Sequence, residues 1–184
     1  KYDLWRGHTP LIPYYPGLHP GSWRFHLSFG CGEMSDRGAH VIDLAQLGNG
    51  TDDTGPVSID AKGWDDAHGL YNAPMSFEFE NTYANGVKMV GGTARKPRGV
   101  RFEGDEGWIF LRIHEGTLEA SDGRLLKLDP ATFKLRLGRT SSHEQNFLDA
   151  VKSGTPPFAD VEVGHRSCTA CLVNMMAMRL KRKL

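Results

Sequence analysis

From about Pro56 to Leu137 apolar and polar residues alternate with the two-residue period of half-buried strands. The pattern is clearest at Met75-Ser-Phe-Glu-Phe-Glu80, where one face is apolar and the other acidic. Asn85-Gly86 and Asp122-Gly123 supply the left-handed backbone of tight hairpins, and Gly104-Asp-Glu-Gly107 predicts a further turn before the strand Trp108-Ile-Phe-Leu-Arg-Ile113. No helix-length apolar pattern separates these strands, so the segment reads as an antiparallel meander and not as parallel βαβ units. Gly30-Cys-Gly32 does not change this, because no buried strand precedes it and the third glycine of a dinucleotide fingerprint is missing.

Elsewhere the period is helical. From Glu33 to Leu47, at about 100° per residue, Met34, Val41 and Ala45 share one side while Asp36, His40 and Asp43 fall together on another. Ser141-Ser-His-Glu144 has capping-box spacing, Phe147, Leu148 and Val151 give an apolar face, and Gly154 with Pro156-Pro157 ends that helix. Asp160 caps a last helix whose predicted core stripe is Val161, Cys168, Leu172 and Met175, closing with the basic run Lys181-Arg-Lys183. Residues 1–30 are rich in proline and hold Trp5 and Trp23, as an extended aromatic arm would. The expected fold is α+β, an open, mostly antiparallel sheet with helices packed on one face, in a single domain over 1–184. A sheet face left without cover would be buried by self-association, giving a homo-oligomer.

Composition narrows the function classes. With 39% hydrophobic and 24% charged residues the chain is a folded globular domain, and 22 basic against 22 acidic residues leave no positive field for nucleic acid or an anionic membrane surface. No stretch reaches the roughly 20 apolar residues of a spanning helix. The opening Lys1-Tyr-Asp lacks a starting methionine, so the chain is expected to be a piece of a longer protein. A cytoplasmic location is favoured, with export of the parent left open. Three cysteines cannot all pair in one chain; Cys168-x-x-Cys171 lies in the apolar helical pattern and reads as buried thiols, with a redox pair as the minor alternative.

A histidine one helical turn after an aspartate stands on the same face, where the carboxylate can orient the imidazole. That makes Asp36 and His40 candidates for proton transfer, since an imidazole of ordinary pKa about 6.5 is suited to the task near neutral pH. Asp43 is counted with the candidate substrate-binding residues and either holds the helix or His40, or is a surface carboxylate. Trp23, Arg24 and His26 are candidate substrate contacts, an indole face packing on sugar C–H surfaces and the cations binding hydroxyls, with core packing of Trp23 as the alternative. Trp108 and Tyr83 belong to the sheet. Glu162-x-x-His165 has only half the ligands of a metal site, so capping and packing are preferred and no metal is expected there.

The run Gly30-Cys-Gly-Glu-Met-Ser-Asp36-Arg-Gly-Ala-His40-Val-Ile-Asp43 resembles the opening signature of the C-terminal domain of the glucose-fructose oxidoreductase, inositol dehydrogenase and rhizopine catabolism (Gfo/Idh/MocA) family. Tyr2-Asp-Leu-Trp5, Pro20-Gly-Ser-Trp23-Arg24, His143 through Gly154 and Asp160 through Ser167 extend the resemblance to bacterial members over nearly the whole chain. It implies a parent whose N-terminal Rossmann domain binds NAD or NADP, absent here together with the family's Glu-Lys-Pro lysine, so no cofactor-binding residue is expected in this chain. It further implies that His40 takes the proton of a sugar or polyol hydroxyl as hydride leaves the same carbon, with Asp36 orienting both, and that the isolated domain does not turn over. Cys31 departs from the usual middle glycine, which bears on substrate preference. The rival expectations are a non-catalytic carbohydrate-binding or scaffold domain, and metal-dependent hydrolysis through His40, Asp36 and Asp43.

Overall fold

The computed structural model describes residues 1–64, 69–113, 115–133, 140 and 142–184. Four helices, α1 (Tyr2–Arg6), α2 (Arg37–Asn49), α3 (His143–Ser153) and α4 (Val161–Leu180), accompany six strands: β1 (Ser58–Trp64), β2 (Ser76–Thr82), β3 (Lys88–Gly92), β4 (Val100–Gly104), β5 (Gly107–Arg112) and β6 (Thr117–Ala120). All pairing among the described strands is antiparallel, as alternation predicts, but it forms two three-stranded meanders, β1-β2-β3 and β4-β5-β6, in place of one continuous sheet. The break falls at Thr93–Gly99, where Pro97 offers no ladder donor and basic residues crowd the segment. Within each meander the predicted turns are in place: Gly86 (φ 85°) closes β2 onto β3, and Gly104 pairs with Gly107 around Asp105-Glu106. Asp122-Gly123 is not a hairpin. The Asp122 carboxylate accepts from the Arg124 N–H at 2.8 Å and caps a 3₁₀ turn over Gly123–Lys127.

Alternation sorts the first sheet into two faces. Ile59, Ala61, Phe77, Phe79 and Asn81 point inward, against α4, while Asp60, Lys62, Glu78 and Glu80 point out, with Lys88 Nζ 2.8 Å from Glu80 Oε1. That outer face is charged and needs no cover. Register in the second sheet puts Val100, Phe102, Ile109, Leu111, Leu118 and Ala120 on one apolar side, where Val100 is buried, Phe102 and Ile109 face the cleft beside α2, and Leu118 is exposed.

α4 packs by a face that mixes small, polar and methionine side chains, Ser167, Ala170, Cys171, Asn174, Met175, Ala177 and Met178, against β1 and α2. The predicted stripe is thereby corrected. Of its members only Met175 is buried, and Val161, Cys168 and Leu172 are exposed, because the buried face follows Ser167, Ala170, Asn174, Ala177 and Met178 at helical spacing. Similarly, α2 buries Ile42 and Gln46 where Val41 and Ala45 were expected, since Met34 lies in a separate 3₁₀ turn (Gly32–Met34) and sets no phase for the helix. At α3 the expected cap, Ser141, lies outside the described residues; Ser142 accepts from the Gln145 N–H at 3.1 Å and starts the helix. No described helix is long and apolar enough to cross a membrane.

The three thiols are free and differ in burial: Cys168 exposed, Cys31 intermediate, Cys171 buried, with burial pushing the Cys171 thiol up to about 12. Titration of the folded chain with an aromatic disulfide reagent should therefore give one fast thiol, Cys168, and leave Cys171 protected until denaturant is added. Rapid reaction of all three would contradict the seating of α4.

Candidate functional site

A tight turn delivers the candidate residues. A Cβ at Gly30 would stand 2.9 Å from the Arg24 carbonyl oxygen, and one at Gly32, held at φ 60°, would stand 2.9 Å from the Ala73 Cβ. The two glycines thus let the chain pass between the 3₁₀ turn Ser22–Phe25 and the loop at 72–73, which is pinned by the Asn72 and Ala73 N–H groups on the Phe25 carbonyl. Between them the Cys31 N–H donates to Ser35 Oγ at 2.9 Å, and burial raises the Cys31 thiol above its ordinary pKa. The turn is a packing device that sets the entry of α2.

Asp36 is the residue before α2, with φ −89° and ψ −95° and no capping bond from its side chain. Its carboxylate lies 2.9 Å from Arg24 Nε, and Arg24 is held in turn by Nη1 donating to the Gly21 carbonyl at 3.1 Å and by the Phe25 ring, 5.0 Å away. Distance makes this an ion pair, although Nε makes no directed hydrogen bond. His40 is exposed and, among the described residues, makes neither a hydrogen bond nor an ion pair, including with Asp36. The expected one-turn coupling between the two is absent because Asp36 precedes the first helical residue, so the helical period does not carry its side chain onto the face of His40.

His40 opens instead on a cleft of about 1970 Å³ between α2 and the two sheets, lined by Arg37, Val41, Phe79, Phe102 and Ile109 among others. Gly48 allows the close approach of α2 to the second sheet there, since a Cβ would meet the Phe102 ring at 2.4 Å. The Asp43 carboxylate accepts from Ser167 Oγ of α4 at 2.6 Å, while Asp43 stands with His40 among the residues that line this cleft. Trp23 is partly exposed, whereas His26 is buried at 7%, with Nδ1 accepting from the Ser28 N–H at 3.1 Å and its ring 5.5 Å from Phe29. Phe29 continues into an aromatic run with Trp5 at 5.1 Å, and Trp5 also meets Tyr2 and His19. The structure thus joins Arg24 to Asp36, leaves His40 and Trp23 open, ties Asp43 into the helix junction and closes His26 into the arm. Ser167 and Gln46, which fix Asp43 and α2, carry no sequence signal because each is a common polar residue at an ordinary helical position.

Glu162 pairs with Arg166 at 2.8 Å and not with His165, and no three described His, Cys, Asp or Glu side chains converge as a metal site requires. Both described sheets are antiparallel, and no βαβ unit stands among the described residues.

Residues 1–184 match the family model described as the oxidoreductase family, C-terminal alpha/beta domain. The chain belongs to the Gfo/Idh/MocA oxidoreductase family. As a Gfo/Idh/MocA domain it aligns with an NAD-binding protein from Listeria innocua at 17% identity and TM-score 0.63, covering 90% of this chain and 54% of that one. It aligns with the aldose-aldose oxidoreductase from Caulobacter crescentus complexed with glycerol at 14% identity and TM-score 0.62, covering 90% and 51%. A third match is the WlbA dehydrogenase from Bordetella pertussis in complex with NADH and UDP-GlcNAcA, at 14% identity and TM-score 0.61, covering 89% and 48%. At these identities the likeness is one of fold. The chain spans about half the length of the solved structures it matches. No curated protein matches it.

The turn and the ion pair make separable contributions. Arg24→Ala should cost no more than about 1 kcal/mol, because the pair is half-exposed. Gly32→Ala should cost about 1–2 kcal/mol or more, from left-handed backbone and the contact with Ala73. Denaturant unfolding of both variants measures this, and a larger loss for Arg24→Ala would contradict the turn's role.

Proposed function

We propose that this Gfo/Idh/MocA domain is the substrate side of an NAD(P)-dependent dehydrogenase acting on a secondary alcohol of a sugar, inositol or glycoside. The observation that carries the reading is the exposed imidazole of His40 on the first turn of α2, without a partner among the described residues and lining a cleft, in a domain of an oxidoreductase family. The nicotinamide, held by a separate nucleotide-binding domain, supplies the hydride acceptor. His40 takes the hydroxyl proton, and with no partner among the described residues its unprotonated ring nitrogen is available for that bond. Asp36 with Arg24 presents a fixed carboxylate and guanidinium beside α2, suited to orienting neighbouring hydroxyls, and Trp23 offers an indole face to the sugar ring. His26 serves the packing of the arm. The NAD-binding and NADH-bound descriptions of the matched proteins support the cofactor class. On this reading the domain alone turns nothing over, because hydride transfer needs a held cofactor.

The test uses the protein in which this domain is joined to its nucleotide-binding domain, followed by NAD(P)H absorbance with a panel of sugars and polyols. His40→Ala should lower kcat/KM at least about 10²-fold. A loss within about threefold rejects the role of His40, and sugar binding without turnover in the unaltered protein favours a carbohydrate-binding domain instead.

A further inference from the structure

Behind α2 runs a chain of four polar side chains that the reaction as proposed does not use. Tyr83, at the β2–β3 turn, is 2% exposed and its hydroxyl donates to Gln46 Oε1 at 3.2 Å; burial pushes its pKa up to about 12, which keeps the proton on it. Gln46, fully buried on α2, donates through Nε2 to Ser167 Oγ at 3.4 Å, and Ser167, 4% exposed on α4, donates to Asp43 Oδ1 at 2.6 Å. The sense of the chain is fixed by its end. A carboxylate only accepts, so the single proton of Ser167 must point to Asp43, Gln46 must turn its amide N–H to Ser167, and its carbonyl is left for Tyr83. Reversing the Gln46 amide would commit the serine proton to Gln46 and leave two oxygens 2.6 Å apart with no hydrogen between them.

We propose that Asp43 is a positioning residue, anchored through Ser167 and Gln46 to the core, and that this chain fixes the axial setting of α2 and therefore the place of His40, three residues before Asp43. The proposal rests on the reading of His40 as the proton acceptor. It assigns Asp43 a role different from substrate contact, since its Oδ1 is spent on the helix junction and the side chain turns toward α4. The apolar contacts between α2 and α4 are not tied to particular atoms, whereas the 2.6 Å bond between two named atoms adds a directed constraint to the same arrangement.

The test is made in the protein joined to its nucleotide-binding domain, with steady-state kinetics and amide hydrogen exchange over residues 40–46. Ser167→Ala and Asp43→Ala should each lower kcat on the order of 10-fold with KM within about twofold, because a displaced base fails in the chemical step and not in binding. Asp43→Asn, whose amide oxygen can still accept from Ser167, should keep at least about a third of kcat. Exchange over 40–46 should rise on the order of 10-fold in Ser167→Ala, a readout that needs no turnover. A raised KM with unchanged kcat in Asp43→Ala would overturn the proposal in favour of substrate binding. Unchanged kcat and exchange in Ser167→Ala would overturn it as well, and so would a loss in Asp43→Asn as deep as in Asp43→Ala. If His40→Ala keeps hydride transfer while exchange rises in Ser167→Ala, the catalytic reading of His40 falls and the hold on α2 stands.

Discussion

The seating of α2 against α4 is the constraint on which the rest of the site depends. α2 carries the open imidazole of His40 and is held to the core by Ile42, Gln46 and Asp43. The grip is possible because α4 offers short side chains, Ser167, Ala170 and Cys171, at the contact, so the helices approach closely enough for a serine hydroxyl to reach a carboxylate. α4 is itself fixed on β1 by Ala177 and Met178, and Gly63 makes room for the Met178 sulfur. Burial of a methionine side chain at such a seat is worth about 1.5–3 kcal/mol, comparable to the whole cost of misplacing the helix by a polar mismatch. Packing and polarity therefore select the same arrangement.

At the other end of α2 the chain enters through the Gly30-Cys-Gly32 turn, which places Asp36 beside Arg24. The arm side holds the paired Asp36 carboxylate and Arg24 guanidinium, the cleft side an imidazole with no partner among the described residues, and the core side the polar chain from Tyr83 to Asp43. The open imidazole fits the proposed role of this domain as the substrate side of the reaction.

Much of this was legible in the residues. The alternation at Met75–Glu80, the Asn85-Gly86 turn and the antiparallel pairing followed from period and turn chemistry, and the signature around Asp36 and His40 pointed to the family. What failed did so for identifiable reasons. The stripe assigned to the core of α4 was chosen for its apolar residues, and the structure buries a different face, from Ser167 and Ala170 through Asn174 to Ala177 and Met178, in which polar and apolar residues are mixed so that hydrophobicity alone does not mark it. The pairing of Asp36 with His40 assumed a helix that begins before Asp36; the backbone at Asp36 is not helical, and a local ion pair takes the carboxylate. One sheet became two at a proline-containing basic segment that alternation on either side does not reveal. Ser167, Gln46 and Tyr83 are brought together from three distant parts of the chain, and a contact of that kind leaves no mark in local spacing.

The most direct measurement of the central claim is an experimental structure of the joined two-domain protein with nicotinamide cofactor and a bound sugar alcohol. The account predicts an imidazole nitrogen of His40 about 2.6–3.2 Å from the hydroxyl on the carbon that faces the nicotinamide ring. A substrate bound elsewhere on the domain, with His40 still turned to solvent, would contradict it.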